Sequence, residues 1–344
     1  MRIPWLSVGG IAAAIFAVGL IVVKNVDGYT PHHILNVSYD PTRELYQKIN
    51  PAFAAQYQKE TGEAVAIRQS HGGSSYQARQ VATGALNADV VTLGLPSDVD
   101  GLAKRGIVAA HWKSRLPNNS RPYYSTVVFV VRKGNPLNIK DWPDLVRGNI
   151  EVITPDPKTS GNGKLTILAA WGSVISRGGS EAEARDFIKA LLDHAPFLVP
   201  AARVAGVAFS VEKKGDVSVS WENEALREVA ESKGAVEIVY PPISILAEPA
   251  VAWVDANVTK NHSEKLSKAY LEYLFTDEAQ NIIAREGYRP FNTAIAEKYV
   301  ERLPPLKLFP ITLIAKDWAD AQQKFFAENG VVDAIYVAKP RMVD

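Results

Sequence analysis

Three polar turns carry the residue types that could do chemistry in this chain. They are Ser38-Tyr39-Asp40-Pro41, His71-Gly72-Gly73-Ser74-Ser75 and Lys158-Thr159-Ser160-Gly161-Asn162. Each closes a strand-like run and opens a helix-like one. The first N–H groups of a helix lack intrahelical acceptors and lie at the positive end of its dipole, so such a turn offers an anion neutral donors. Ser, Asp and Gly are also favoured at these positions for local capping alone. A shared pocket is the sharper reading, because ligands of open α/β sheets sit beyond the carboxyl ends of strands. Trp221 follows a Val-Ser-Val-Ser alternation. It reads either as core packing or as an indole N–H, a donor with no acceptor, aimed into that pocket. Glu222 and Glu224 then face away from the anion or stand on a solvated helix start.

Catalytic motifs fail on inspection. Gly161-Asn162-Gly163-Lys164 hints at a phosphate loop, but Lys158 stands where its first glycine belongs and Leu165 where Ser or Thr belongs. His71-Gly72-Gly73 resembles an esterase oxyanion loop, yet no Gly-x-Ser-x-Gly elbow accompanies it. The six histidines show no metal-ligand spacing, and there is no cysteine. Thiolate catalysis, disulfides, Cys-ligated metal and an N-terminal lipid-modified Cys are therefore excluded, and no cofactor is expected.

The elements that must position these turns alternate between strand and helix. Ile34–Val37 is a strand, Asp40 is placed to cap the next helix, and Leu45, Ile49, Phe53 and Tyr57 mark one face of that helix. Further strands are expected at 64–67, 89–95, 126–131, 152–154 and 216–221. Helices follow the His71 and Ser160 turns and cover 263–275 and 277–286. A C-terminal helix through Trp318, Ala321 and Phe325 is expected to stop near Asn329-Gly330. This order implies α/β layers with mostly parallel sheets. Pro-containing stretches at Arg121-Pro122 and Tyr240-Pro241-Pro242 fit crossings between two lobes.

The 344 residues are 47% hydrophobic, enough for one large or two ordinary domains. Lys plus Arg is 38 against 37 Asp plus Glu, a net charge of +1, so no global basic field exists for nucleic acid. Residues 3–23 carry no charge and lie between Arg2 and Lys24. That run approaches the ~20 residues that span a bilayer, and no clear cleavage site follows it. The expectation is an uncleaved N-terminal anchor, with a cleaved signal as the alternative; the remainder is exported either way.

Taken together, these residues give a chain that resembles the periplasmic sulfate-binding proteins of sulfate/thiosulfate ABC importers. The resemblance runs from about Leu35 to about Ala334. It rests on Asn36-Val-Ser-Tyr-Asp-Pro-Thr-Arg-Glu-Leu-Tyr46, Gln69-Ser-His-Gly-Gly-Ser74, Ala88-Asp-Val-Val-Thr-Leu93, Val131-Arg-Lys-Gly-Asn-Pro136 and Ser220-Trp-Glu-Asn-Glu-Ala-Leu226. Ser244-Ile-Leu-Ala-Glu-Pro249, Tyr288-Arg-Pro290 and Leu306-Lys-Leu-Phe309 extend it. It implies an α/β, two-lobe periplasmic binding protein of type II, with hinge crossover strands and a ligand cleft between the lobes. The expected layout is 1–24 signal or anchor, 25–33 spacer, 34–120 lobe 1, 121–246 lobe 2, 247–309 the return to lobe 1, and 310–344 a C-terminal helical segment.

The resemblance further implies a non-enzymatic monomer in the periplasm that hands sulfate to ABC importer permease subunits. An uncleaved N-terminal segment is the expected tether to the inner membrane, a departure from the family, whose typical member is soluble in the periplasm. The implied donors are the N–H of Asp40 and the hydroxyl of Ser74 from one lobe. From the other come Ser160, the N–H groups of Gly161, Asn162 and Ala202, and the indole of Trp221. Asn162 departs from the family's usual glycine, as do Ala201 and Val204. Asp40 must turn its carboxylate away from the pocket. Thiosulfate or another tetrahedral oxyanion is the alternative ligand. An ester hydrolase and a membrane-anchored anion sensor are the alternative functions.

Overall fold

A computed structural model describes residues 32–335. The expected anchor at 1–24, most of the spacer and residues 336–344 lie outside them. Among the described residues no helix is long and apolar enough to cross a membrane.

The strands that build the two sheets are β1 (His32–Tyr39), β2 (Val65–Gly72), β3 (Val90–Leu93), β4 (Val127–Arg132), β5 (Val152–Pro155), β6 (Leu198–Val199), β7 (Val217–Trp221), β8 (Val236–Val239) and β9 (Ala250–Trp253). The helices that matter for the site are α1 (Arg43–Thr61), α2 (Ser74–Ala82), α3 (Pro96–Ala103), α4 (Gly161–Ile175), α5 (Ala202–Ser210) and α6 (Glu222–Glu231). The first sheet has the order β9-β3-β1-β2, and the second the order β6-β5-β7-β4-β8. In α1 the residues Leu45, Ile49, Phe53 and Tyr57 are buried, as the four-residue spacing predicts. The helix ends at Gly62, whose φ of 78° and N–H to Gln58 O form a left-handed cap.

The sheets are more mixed than the expected parallel pattern. β1 pairs parallel with β2 and β3, but β9 joins β3 antiparallel. In the second sheet β4 runs antiparallel to both β7 and β8. Parallel neighbours require a βα crossover, whereas β4 and β9 arrive from the opposite half of the molecule and enter their sheets reversed. Short pairs mark these passages: Tyr123–Tyr124 with Arg289–Pro290, Ser125 with Ala247, and Ser244–Ile245 with Leu308–Phe309. Each sheet with its helices forms one lobe.

Two boundaries differ from the sequence reading. β1 begins at His32, inside the expected spacer, because His32 and His33 pair with Val65 and Ala66. The C-terminal helix runs only over Trp318–Ala321, loosens into a π turn at Gln322–Phe326, and a second helix occupies Val331–Ile335. The π turn lies where two anchors must be met: Trp318 Nε1 donates to Glu248, and Phe325 packs edge-on against Trp171 at 5.0 Å.

Beneath the second sheet, Glu228 on α6 is buried and accepts from Ser210 Oγ at 2.7 Å and Ser220 Oγ at 3.2 Å. Burial lifts its carboxyl to about 7, the serine bonds opposing. A carboxyl raised in the folded state favours folding below its ordinary value of 4.5 and loses that contribution as pH rises through 7. Glu228→Gln is therefore expected to gain on the wild type by about 3 kcal/mol between pH 4 and 8. Urea unfolding of both proteins at the two pH values checks this, and a pH-independent difference contradicts it.

Candidate functional site

All three turns lie where the two lobes meet. Asp40 follows β1 and opens a three-residue 3-10 turn, Asp40–Thr42, ahead of α1. Its carboxylate is turned onto protein donors. Oδ1 accepts from Arg43 Nε at 2.9 Å, and Oδ2 accepts the Arg203 backbone N–H of α5 at 3.0 Å. Asp40 thus caps a helix of the opposite lobe rather than its own. The reason is positional: Tyr39 holds the N-cap of the 3-10 turn, and Asp40 already lies inside it.

Ser74 opens α2, but its hydroxyl is committed. It donates to Asp98 Oδ2 at 2.6 Å and accepts the Gly94 N–H at 2.9 Å, while Ser75 Oγ donates to Asp98 Oδ1 at 2.9 Å. In this structure the one proton of the Ser74 hydroxyl goes to a carboxylate, so donation to an anion exchanges that bond. The helix also offers the backbone N–H groups of Ser74 and Ser75, whereas that of Tyr76 is given to Thr159 O.

Ser160 is the N-cap of α4, yet its side chain caps nothing, and among the described residues its hydroxyl has no partner. Gly161 and Asn162 follow as the first helical residues. The Asn162 side chain is turned into the second sheet, where Nδ2 donates to Val219 O at 2.8 Å. It therefore leaves the backbone N–H uncovered, although its buried Oδ1 has no partner among the described residues. Ala202 is the first residue of α5. Trp221 ends β7 with its ring 5.3 Å from Tyr39, and its indole N–H has no acceptor among the described residues.

The two lobes are in contact here. A Cβ on Gly94 would lie 3.4 Å from Trp221 Cζ2 and 3.6 Å from Ser74 Cβ, and one on Gly161 would lie 3.2 Å from Ser74 Cβ. The backbone N–H of Tyr76 donates across the cleft to Thr159 O at 3.3 Å.

Cations flank the cleft, each tied to a carboxylate. Arg43 pairs with Asp40, and Lys164 of α4 with Asp98 of α3. Arg203 of α5 joins Glu44 of α1 at 2.7 Å and Glu224 of α6 at 2.9 Å. Burial acts to lower the Arg203 pKa, but Glu44 and Glu224 outweigh it and hold the guanidinium above its ordinary value. His71, with Nδ1 2.7 Å from Ser38 Oγ, is depressed to about 4 by burial and then by Arg43, so it is neutral at neutral pH.

Glu222 and Glu224 do not form a solvated helix start: both are buried. Glu222 is held by Arg289, and Glu224 by Arg203 and Arg227. Sequence reasoning also missed Gly94, Asp98 and Lys164. The signal for the first two was a fourth strand-turn-helix, Leu93-Gly94-Leu95-Pro96, with Pro at the first helical position. Nothing local marks Lys164 as their partner.

A family model described as bacterial extracellular solute-binding protein matches residues 36–289. The sulfate-binding protein of Salmonella typhimurium is 49% identical over 304 residues, 88% of this chain and 92% of that protein. The thiosulfate-binding protein of Pseudomonas aeruginosa is 44% identical over 327 residues, 94% of this chain and 98% of that protein. Among solved structures, the sulfate-binding protein SubI from Mycobacterium tuberculosis H37Rv matches with a TM-score of 0.78 at 32% identity, covering 86% of this chain and 99% of that one.

Proposed function

We propose, from the premise that this chain belongs to the bacterial extracellular solute-binding protein family, that it captures sulfate between its two lobes and delivers it to an ABC importer. The observation that carries the reading is a cleft of unused neutral donors. The Trp221 indole and the Ser160 hydroxyl lack partners among the described residues, beside helix N-termini at Ser74, Gly161 and Ala202. The ligand set is the N–H groups of Asp40, Ser74, Ser75, Gly161, Asn162 and Ala202, together with Ser160 Oγ, Trp221 Nε1 and, on exchange of its bond to Asp98, Ser74 Oγ.

The chemistry favours a fully ionised anion. A buried dianion is tolerated only when its oxygens are hydrogen-bonded, and helix dipoles add to those bonds. Phosphate keeps a proton at neutral pH. With both Asp40 oxygens engaged by Arg43 and Arg203, that carboxylate is not available to receive it. An unsatisfied buried donor costs about 1–3 kcal/mol, which sets the discrimination. Thiosulfate shares the same donor chemistry and is a variant of this reading.

The reading assigns no turnover. Ser38 and His71 form the one Ser–His pair near the cleft among the described residues, and Ser38 is fully buried. The extracellular family assignment fits export of the chain ahead of an importer's permease subunits.

Isothermal titration of protein dialysed into chloride tests the reading with sulfate, thiosulfate and phosphate. One-to-one binding of sulfate with phosphate silent is expected. Ser160→Ala and Trp221→Phe are each expected to weaken sulfate roughly ten- to hundredfold, the worth of one hydrogen bond to a charged group. Unchanged affinity in both variants would remove these side chains from the site.

A further inference from the structure

The proposed cleft leaves unexplained a cavity on the flank of α2. It measures about 220 Å³ and is lined in part by Ser75, Arg79, Asp98, Arg105, Lys164 and Gln322. The first four belong to the lobe of the first sheet. Lys164 comes from α4 of the other lobe, and Gln322 from the C-terminal π turn. The cavity is therefore complete only while the lobes are together.

Its charge is opposite in design to the cleft. Three cations face one carboxylate, and that carboxylate is already engaged. Asp98 holds Ser74, Ser75 and Lys164, and Lys164 Nζ also reaches Gln322 Oε1 at 2.8 Å. Arg79 gives one N–H to Lys158 O at 3.2 Å, and among the described residues the Arg105 guanidinium has no hydrogen-bond or ion-pair partner. Guanidinium groups present forked donors that match two oxygens of a carboxylate or sulfate-type anion. The volume suits several waters or one small polyatomic anion.

We propose that this cavity is a second oxyanion site, which takes a small carboxylate or sulfate-type anion in the closed protein and slows its reopening. A ligand that binds the closed form alone shifts the hinge equilibrium toward it, so occupation of the flank retards loss of the cleft ligand. Because its donors are charged and partly exposed, the site is salt-sensitive.

The test uses the full chain loaded with radiolabelled sulfate, freed of excess sulfate and diluted into citrate or into chloride of equal ionic strength, so that no free sulfate fills the flank. Citrate is expected to slow release about fivefold or more. Arg105→Ala removes no hydrogen bond seen among the described residues, so its release rate in chloride stays unchanged. In that variant about tenfold more citrate is needed for the same slowing. Equal rates in citrate and chloride overturn the proposal, as does slowing that persists undiminished in the variant. Crystals soaked in selenate separate this idea from the cleft reading. A selenium anomalous peak beside Ser160 and Trp221 reports the cleft, and one between Arg79 and Arg105 reports the flank. A missing cleft peak counts against the proposed function, and a missing flank peak against this site.

Discussion

Gly73→Ala is expected to weaken sulfate binding by about a hundredfold while leaving the ligand-free fold intact. A Cβ at Gly73 would stand 2.5 Å from Thr159 O and 3.1 Å from Pro200 O. Both oxygens are backbone atoms of the opposite lobe, so neither can rotate away as a side chain would. The lobes must then stay apart by a few tenths of an ångström or more, and donors on the two sides no longer reach one ion together. In an open form the same methyl group faces solvent and costs little. Titration calorimetry of the variant, with small-angle scattering in saturating sulfate, checks both halves of the statement. Gly101→Ala is the control, because a Cβ there meets nothing within 4 Å. Wild-type affinity in Gly73→Ala would mean that the ligand is held without this approach of the lobes.

Arg289→Leu is expected to cost about 3–5 kcal/mol of folding stability. Arg289 donates Nε and Nη2 to the two oxygens of Glu222 at 2.7 Å each, and a further N–H to Pro304 O at 2.8 Å. Glu222 is 0% exposed, so without the arginine its carboxylate is left unpaired in the interior. The pair links α6 to the crossing strand at Arg289–Pro290, and Glu222 directly follows Trp221. Loss of stability should therefore come with weaker anion binding. The double variant Glu222→Gln/Arg289→Leu should recover much of the stability, since no buried charge remains unpaired. Urea unfolding of the three variants decides it. A single-variant loss below about 1 kcal/mol would place the pair with ordinary surface bridges.

Much of this protein is local and legible in its sequence. The strand-turn-helix units around Asp40, Ser74 and Ser160 depend on β-branched runs, on Pro or Gly in the turn and on four-residue spacing, all within a dozen residues. The donor character of the cleft also follows locally, because any helix N-terminus has free N–H groups. The order of units and the quoted motifs sufficed to point to the family.

Other features required the tertiary structure, for one physical reason: they are contacts between residues far apart in the chain, and periodicity says nothing about such pairs. Asp40 turned from its own helix to the N–H of Arg203, 163 residues away. The Ser74 hydroxyl was taken by Asp98 of a neighbouring helix, and Asp98 was joined to Lys164 of the other lobe. Glu222 and Glu224 look solvated in sequence, yet they are buried because Arg289 and Arg203 arrive from elsewhere to neutralise them. β4 and β9 became antiparallel because strand direction depends on which lobe the chain comes from. Residue types and local spacing set which groups can donate to an anion; the packing of one lobe on the other set which donors remain free, since each polar group serves the strongest partner within reach.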